Sequence, residues 1–187
     1  MESMPRRAFL STALALSTLG SVASTVGAAV PVGSAVFVPR DGDRFGRRRK
    51  VFGAFPIDVK VAAADTDGGL LLIEQIDDKK GGPPRHVHPR QEEWFHVVGG
   101  AYVIEVGEER FELGAGDSLL APRGVPHVWA HVGDGIGRML IGFQPAGEME
   151  AFFARATGLE SLPAGPDLAQ LFREHGMELL GPPLATG

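Results

Sequence analysis

No cysteine occurs among the 187 residues, which excludes disulfides, thiolate metal ligands and thiol nucleophiles while leaving the cellular compartment open. Positive charge is scarce and scattered. Eighteen Lys and Arg stand against 23 Asp and Glu, for a net charge of −5, and the one basic block is Arg47-Arg48-Arg49-Lys50. A block that short reads as a solvated loop. With no broad basic face and no recognised RNA- or DNA-binding motif, nucleic acid is not an expected partner. There is also no nucleophile elbow with a Ser-His-Asp set and no Gly-rich phosphate loop. What the chain has in quantity is Gly (26) and Pro (14), as expected of many short strands joined by turns. The length suits one domain with a real core.

Residues 1–29 read as a targeting segment. A basic start is followed by an apolar run rich in Ala, Ser, Thr and Gly, ending in small residues near Gly27-Ala28-Ala29. Arg6-Arg7-Ala8-Phe9-Leu10 resembles the core of a bacterial twin-arginine signal, with Pro5 and Ser11 departing from the usual flanks. The resemblance implies export of a folded protein to the periplasm or beyond. The alternatives are a retained anchor or an amphipathic start without an export role. Ala8 to Val30 is long enough to span a bilayer, but its Ser and Thr make it a poor anchor, so no stable membrane insertion is expected after cleavage.

The remainder, 30–187, reads as one domain with a barrel core over about 51–145 and a helical tail over about 147–187. Val36-Phe37-Val38 suggests a first strand. Ile57, Val59 and Val61 alternate with polar or small residues, as in a half-buried strand, and Leu70 to Ile76 reads as a buried one. Tyr102, Ile104 and Val106 alternate up to Gly107-Glu108-Glu109, and Phe111 and Leu113 continue the pattern, which makes a hairpin. Ser118 to Ala121, Val128 to Val132 and Arg138 to Phe143 complete the set. In the tail, Met149, Phe152, Phe153 and Ala156 fall on one helical face, and Leu168, Leu171 and Phe172 on another. These helices are expected on the outside of the barrel or in a dimer interface, with a lid as the alternative.

Five of the six histidines lie between positions 86 and 131. In a strand, His86 and His88 project to one face about 6.6 Å apart. Glu93 can join them from the next strand and His127 from a third. A lone histidine on an apolar strand is usually a core residue. Three with a carboxylate suit one divalent transition-metal ion: Mn, Fe, Ni, Cu or Zn. His86-x-His88, four residues, Glu93, six residues, Gly100 resembles the first motif of the cupin family. Gly116, five residues, Pro122-x-Gly124, two residues, His127 resembles the second. Lys80 stands where a Gly is usual, and His131 where an Asn is usual.

The resemblance implies an all-β cupin jelly-roll barrel, a metal held by His86, His88, Glu93 and His127, and a homodimer. Trp129 and His131 share the face of His127, and Phe95 that of Glu93. Trp129, Phe95 and Ile141 are expected as pocket walls, although Trp129 also reads as a plain core aromatic. His131 has two readings, an acid/base group beside the metal or a polar residue at the far barrel mouth. Either Glu74 or Gln75 must point into the barrel. Glu74 is a candidate general base, alongside Glu93, and Gln75 a pocket residue. With Phe143-Gln144-Pro145-Ala146-Gly147, Gly82-Pro83-Pro84 and Asp65-Thr66-Asp67-Gly68-Gly69, the barrel region further resembles bacterial single-domain cupins compared with quercetin dioxygenases, which implies oxygenation of a phenolic or enolic small molecule. A non-oxidative metal enzyme (isomerase, cyclase or lyase) and a binding cupin without turnover are the alternatives.

Overall fold

A computed structural model describes residues 35–186, so the targeting segment expected at 1–29 lies outside the described residues. The strands are β1 (Arg49–Val51), β2 (Phe55–Val61), β3 (Leu71–Asp77), β4 (His86–Val87), β5 (Glu92–Gly99), β6 (Tyr102–Val106), β7 (Glu109–Leu113), β8 (Ser118–Ala121), β9 (His127–His131), β10 (Gly137–Gln144) and, after two helices, β11 (Glu178–Leu179). The helices are α1 (Met149–Thr157) and α2 (Gly165–Glu174). Six strands form one sheet in the order β1-β2-β3-β10-β5-β8, and five form the other in the order β11-β4-β9-β6-β7. From β5 onward the chain passes back and forth between the sheets, as in a jelly roll. Among the described residues no helix is long and apolar enough to cross a membrane.

The period-2 alternation sorts each strand into an inward and an outward face. In the six-stranded sheet Ile141 pairs with Ile73 on one side and Phe95 on the other, and Val59 extends that row. All four are buried. In the five-stranded sheet Ile104 lies opposite Trp129, Val106 opposite His127 and Tyr102 opposite His131. The barrel therefore has a polar layer at each end and an apolar layer between. His127 and Glu93 mark one end; His131, Tyr102 and Asp77 mark the other.

The turns follow their residues. Gly107, at φ +61°, takes the first central position of the two-residue β6–β7 hairpin, a site that favours glycine. The turn before β9 closes by Val125 N–H donating to Pro122 O at 3.2 Å, and Gly124 N–H donates to His88 O at 2.9 Å. That second bond ties the Pro-x-Gly turn to the His-x-His segment.

Two expectations change. Val36-Phe37-Val38 forms no strand, and Phe37 is 88% exposed. This segment runs into a stretch that packs on β2 instead, where Asp43 accepts from Val59 N–H at 2.7 Å and Arg44 N–H donates to Val59 O at 2.7 Å. The basic block is only partly loop, since Arg49 and Lys50 open β1 and pair with Ile57 and Pro56.

Candidate metal centre

His86 stands on β4, His88 just beyond it, Glu93 on β5 and His127 on β9, so both sheets contribute. One ligand atom from each lies within 4.8 Å of the others, and all four residues are buried. The imidazole Nε2 atoms of His127, His88 and His86 lie 2.8, 3.1 and 3.6 Å from Glu93 Oε2. The opposite nitrogens are held by the backbone: His86 Nδ1–H donates to Pro84 O at 2.8 Å, and His127 Nδ1–H to Val125 O at 3.1 Å. These bonds leave Nε2 of both rings facing the cluster, where it can give up its proton and ligate an ion. Pro84 and Pro126 flank the two rings and stiffen those backbone turns.

Electrostatics reinforce the cluster. Burial lowers the pKa of His86 and keeps it neutral, as a metal ligand must be. Burial would also lower that of His127, but its hydrogen bond with Glu93 and the carboxylate charge outweigh this and raise it. Burial would raise the pKa of Glu93, yet the three imidazoles hold it well below the ordinary carboxylate range. His88 Nε2, buried and 3.1 Å from Glu93, makes no hydrogen bond. Three nitrogens and one oxygen converging on one point, one of them orphaned in the core, fit one divalent transition-metal ion.

The cluster opens into a cavity of about 120 Å³, roughly ten times the space one water needs. His86 and Glu93 form its polar end. Gln75, Trp129 and Ile141 line it, as the strand period implies. Phe95 faces inward but lies off the pocket wall, fully buried behind His127 with ring centroids 6.2 Å apart. Glu74 points to the outer face of the sheet. It accepts from Arg138 Nε at 2.7 Å and pairs with Lys60 Nζ at 3.0 Å, so it is no base for the pocket. His131 lies at the far barrel end, where its Nδ1–H donates to Lys79 O at 3.1 Å and its ring sits 5.2 Å from Tyr102. Of its two readings, the structure places it in the polar layer away from the cluster.

Much of the wall was not foreseen. Phe143 comes from β10, Phe52 from the β1–β2 turn, and Met149, Phe152, Phe153 and Phe172 from the tail helices. Phe172 packs edge-on to His86, with ring centroids 5.6 Å apart. β11 pairs with β4, placing Leu179 opposite His86. The tail thus closes over the metal end of the barrel. Phe52 has φ +52°, a left-handed conformation that non-glycine residues seldom adopt, and its ring meets Phe152 edge-on at 6.2 Å. The helical periodicity of α1 announced a buried face; nothing in the sequence said what that face covers.

Residues 73–143 match the family model described as Cupin domain. Germin-like protein 3-8 of Oryza sativa subsp. japonica is 34% identical over 99 residues, which is 48% of this chain and 44% of that protein. The chain thus spans less than half the length of the curated relative it matches. Among solved structures, KdgF from Halomonas sp. superposes with a TM-score of 0.51 at 20% identity, covering 60% of this chain and 94% of that one. An RmlC-like cupin from Shewanella frigidimarina gives a TM-score of 0.47 at 24% identity, covering 56% and 87%. At such identity the likeness is one of fold. Together with the two sheets, the KdgF superposition shows a jelly-roll barrel of the cupin fold with C-terminal helices.

Proposed function

We propose that this protein is a metal-dependent cupin dioxygenase acting on a small phenolic or enolic compound. The observation that carries this reading is the pocket itself: an aromatic and aliphatic enclosure whose polar end is a three-histidine, one-carboxylate cluster. A divalent ion held by His86, His88, Glu93 and His127 would supply Lewis-acid and redox chemistry there.

The chain's own groups do the rest. Phe143, Phe152 and Phe172 provide ring faces and edges that suit a planar aromatic ligand. They make the wall beside the cluster apolar, so a ligand that fills the cavity displaces water from it, which strengthens every electrostatic interaction inside. Pro84 O and Val125 O keep His86 and His127 from turning. Glu93 is the one carboxylate among the described residues lining the pocket, so its carboxylate is the acceptor available to a substrate hydroxyl proton.

The test is elemental analysis of protein purified without chelator, beside His127→Ala, followed by oxygen-uptake assays with flavonols and other enolic phenols. The expected result is about one Mn, Fe, Ni or Cu per wild-type chain, little in the variant, and oxygen consumption by the wild type alone. Zinc with no oxygen uptake would replace this reading with a non-oxidative metal enzyme. A folded wild type without metal would leave a binding protein.

A further inference from the structure

Beyond the metal cluster, the pocket wall offers one side-chain carbonyl, that of Gln75. Gln75 sits mid-strand on β3 between Ile57 of β2 and Met139 of β10, with apolar neighbours on both sides. Its amide nitrogen donates to Asp77 Oδ1 at 2.9 Å. The other carboxylate oxygen, Oδ2, accepts from the Tyr102 hydroxyl at 2.8 Å. Tyr102 comes from β6 in the opposite sheet, so Asp77 is gripped from both sides of the barrel, and all three residues are buried. Burial raises the pKa of Asp77, while the bonds from Gln75 and Tyr102 favour its charged form, which only accepts hydrogen bonds. The NH₂ end of Gln75 must therefore turn to Asp77, and the carbonyl end is turned away. That carbonyl accepts no hydrogen bond from any described residue.

We propose that Gln75 is a specificity-determining residue: its carbonyl oxygen, oriented by Asp77 and Tyr102, accepts a hydrogen bond from a hydroxyl on the ring compound in the pocket, at a point separate from the metal cluster. This rests on reading the pocket as a site for small ring compounds, and it narrows that class to hydroxylated rings over ethers of the same shape. The physical basis is asymmetric. A ligand with a hydroxyl donor satisfies this acceptor, whereas an ether covers it and leaves it desolvated and unpaired.

The test is calorimetric titration of the full chain, with its metal as purified, using 2-naphthol and 2-methoxynaphthalene. The wild type is expected to bind the naphthol about threefold to tenfold more tightly, the range of one net hydrogen bond. Gln75→Met, of similar length but without the acceptor, brings the two affinities within about twofold while metal content holds; the melting temperature falls, because the buried Asp77 Oδ1 loses its donor. Should Gln75→Met fail to fold, Gln75→Leu makes the same comparison. Equal wild-type affinities overturn the proposal, as does a preference that survives in the variant, which would assign the hydroxyl to the metal. Binding of neither probe overturns it together with the ring-compound pocket. Because no turnover is read, failure of the oxygenase reading alone leaves the result intact.

Discussion

Glu74 and Gln75 are adjacent, polar and both buried, and they do opposite things. Gln75 enters the pocket; Glu74 crosses the outer face into ion pairs with Arg138 and Lys60. Burial would raise the pKa of Glu74, but those two cations outweigh it and lower it. A carboxylate depressed in the folded state contributes stability above its unfolded pKa of about 4.3, and loses it as pH falls through the folded value. Glu74→Gln should therefore cost about 2 kcal/mol at pH 7, with the gap to wild type closing below roughly pH 4. Urea unfolding at the two pH values measures it, and metal content should not change. A loss of metal with stability intact would return Glu74 to the site. Gly82 is a second residue with a fixed role. A Cβ there would lie 1.9 Å from Trp129 O, so the backbone itself would have to move. Gly82→Ala is expected to destabilise by about 1–3 kcal/mol, read as a lower denaturant midpoint.

Among the elements, the helices carry the least expected role. The face of α1 formed by Met149, Phe152, Phe153 and Ala156 is buried as its period requires. Its partner is the open end of the barrel, so α1 and α2 complete the metal pocket rather than decorate the outside. Phe172→Ala removes the ring beside His86 and opens the enclosure. The expected outcome is a loss of about 2–4 kcal/mol in stability and several-fold faster stripping of the metal by an added chelator, followed by absorbance. Unchanged stripping with reduced stability would make the helices a brace only. Val36-Phe37-Val38 shows the converse case. β-branched and aromatic residues favour strands through packing and pairing, and this segment finds no ladder to join.

For the molecule as a whole, the His–Glu cluster couples the two sheets. His86, His88 and His127 belong to one sheet and its margin, Glu93 to the other, and without an ion His88 Nε2 is left buried and unpaired. An ion that binds only the folded chain stabilises it by about 3–4 kcal/mol at a hundred- to thousandfold excess over Kd. Chelation followed by dialysis should therefore lower the melting temperature by roughly 10 °C in a scanning calorimeter, and adding the ion back should restore it. Equal melting temperatures would mean that no ion holds the sheets together.

The sequence by itself determined β2, β3 and β6 to β10, the hairpin, the two helices and the four residues that converge at the cluster, though not β1. Each depends on a local rule: period 2, period 3.6, a Gly or Pro at a turn, a ligand spacing. It determined equally that Trp129, Ile141 and Phe95 point inward. Only the tertiary structure decided that Phe95 lies behind His127 while the other two reach the pocket. Tertiary structure alone also separated Gln75 from Glu74 and set the tail over the His–Glu cluster. The reason is that both faces of β3 carry buried groups, Gln75 toward the barrel interior and Glu74 under Arg138 and Lys60 of the neighbouring strands, so alternation loses its sign. Which surface a helix covers is likewise a relation between segments distant in the chain, and no local pattern encodes it.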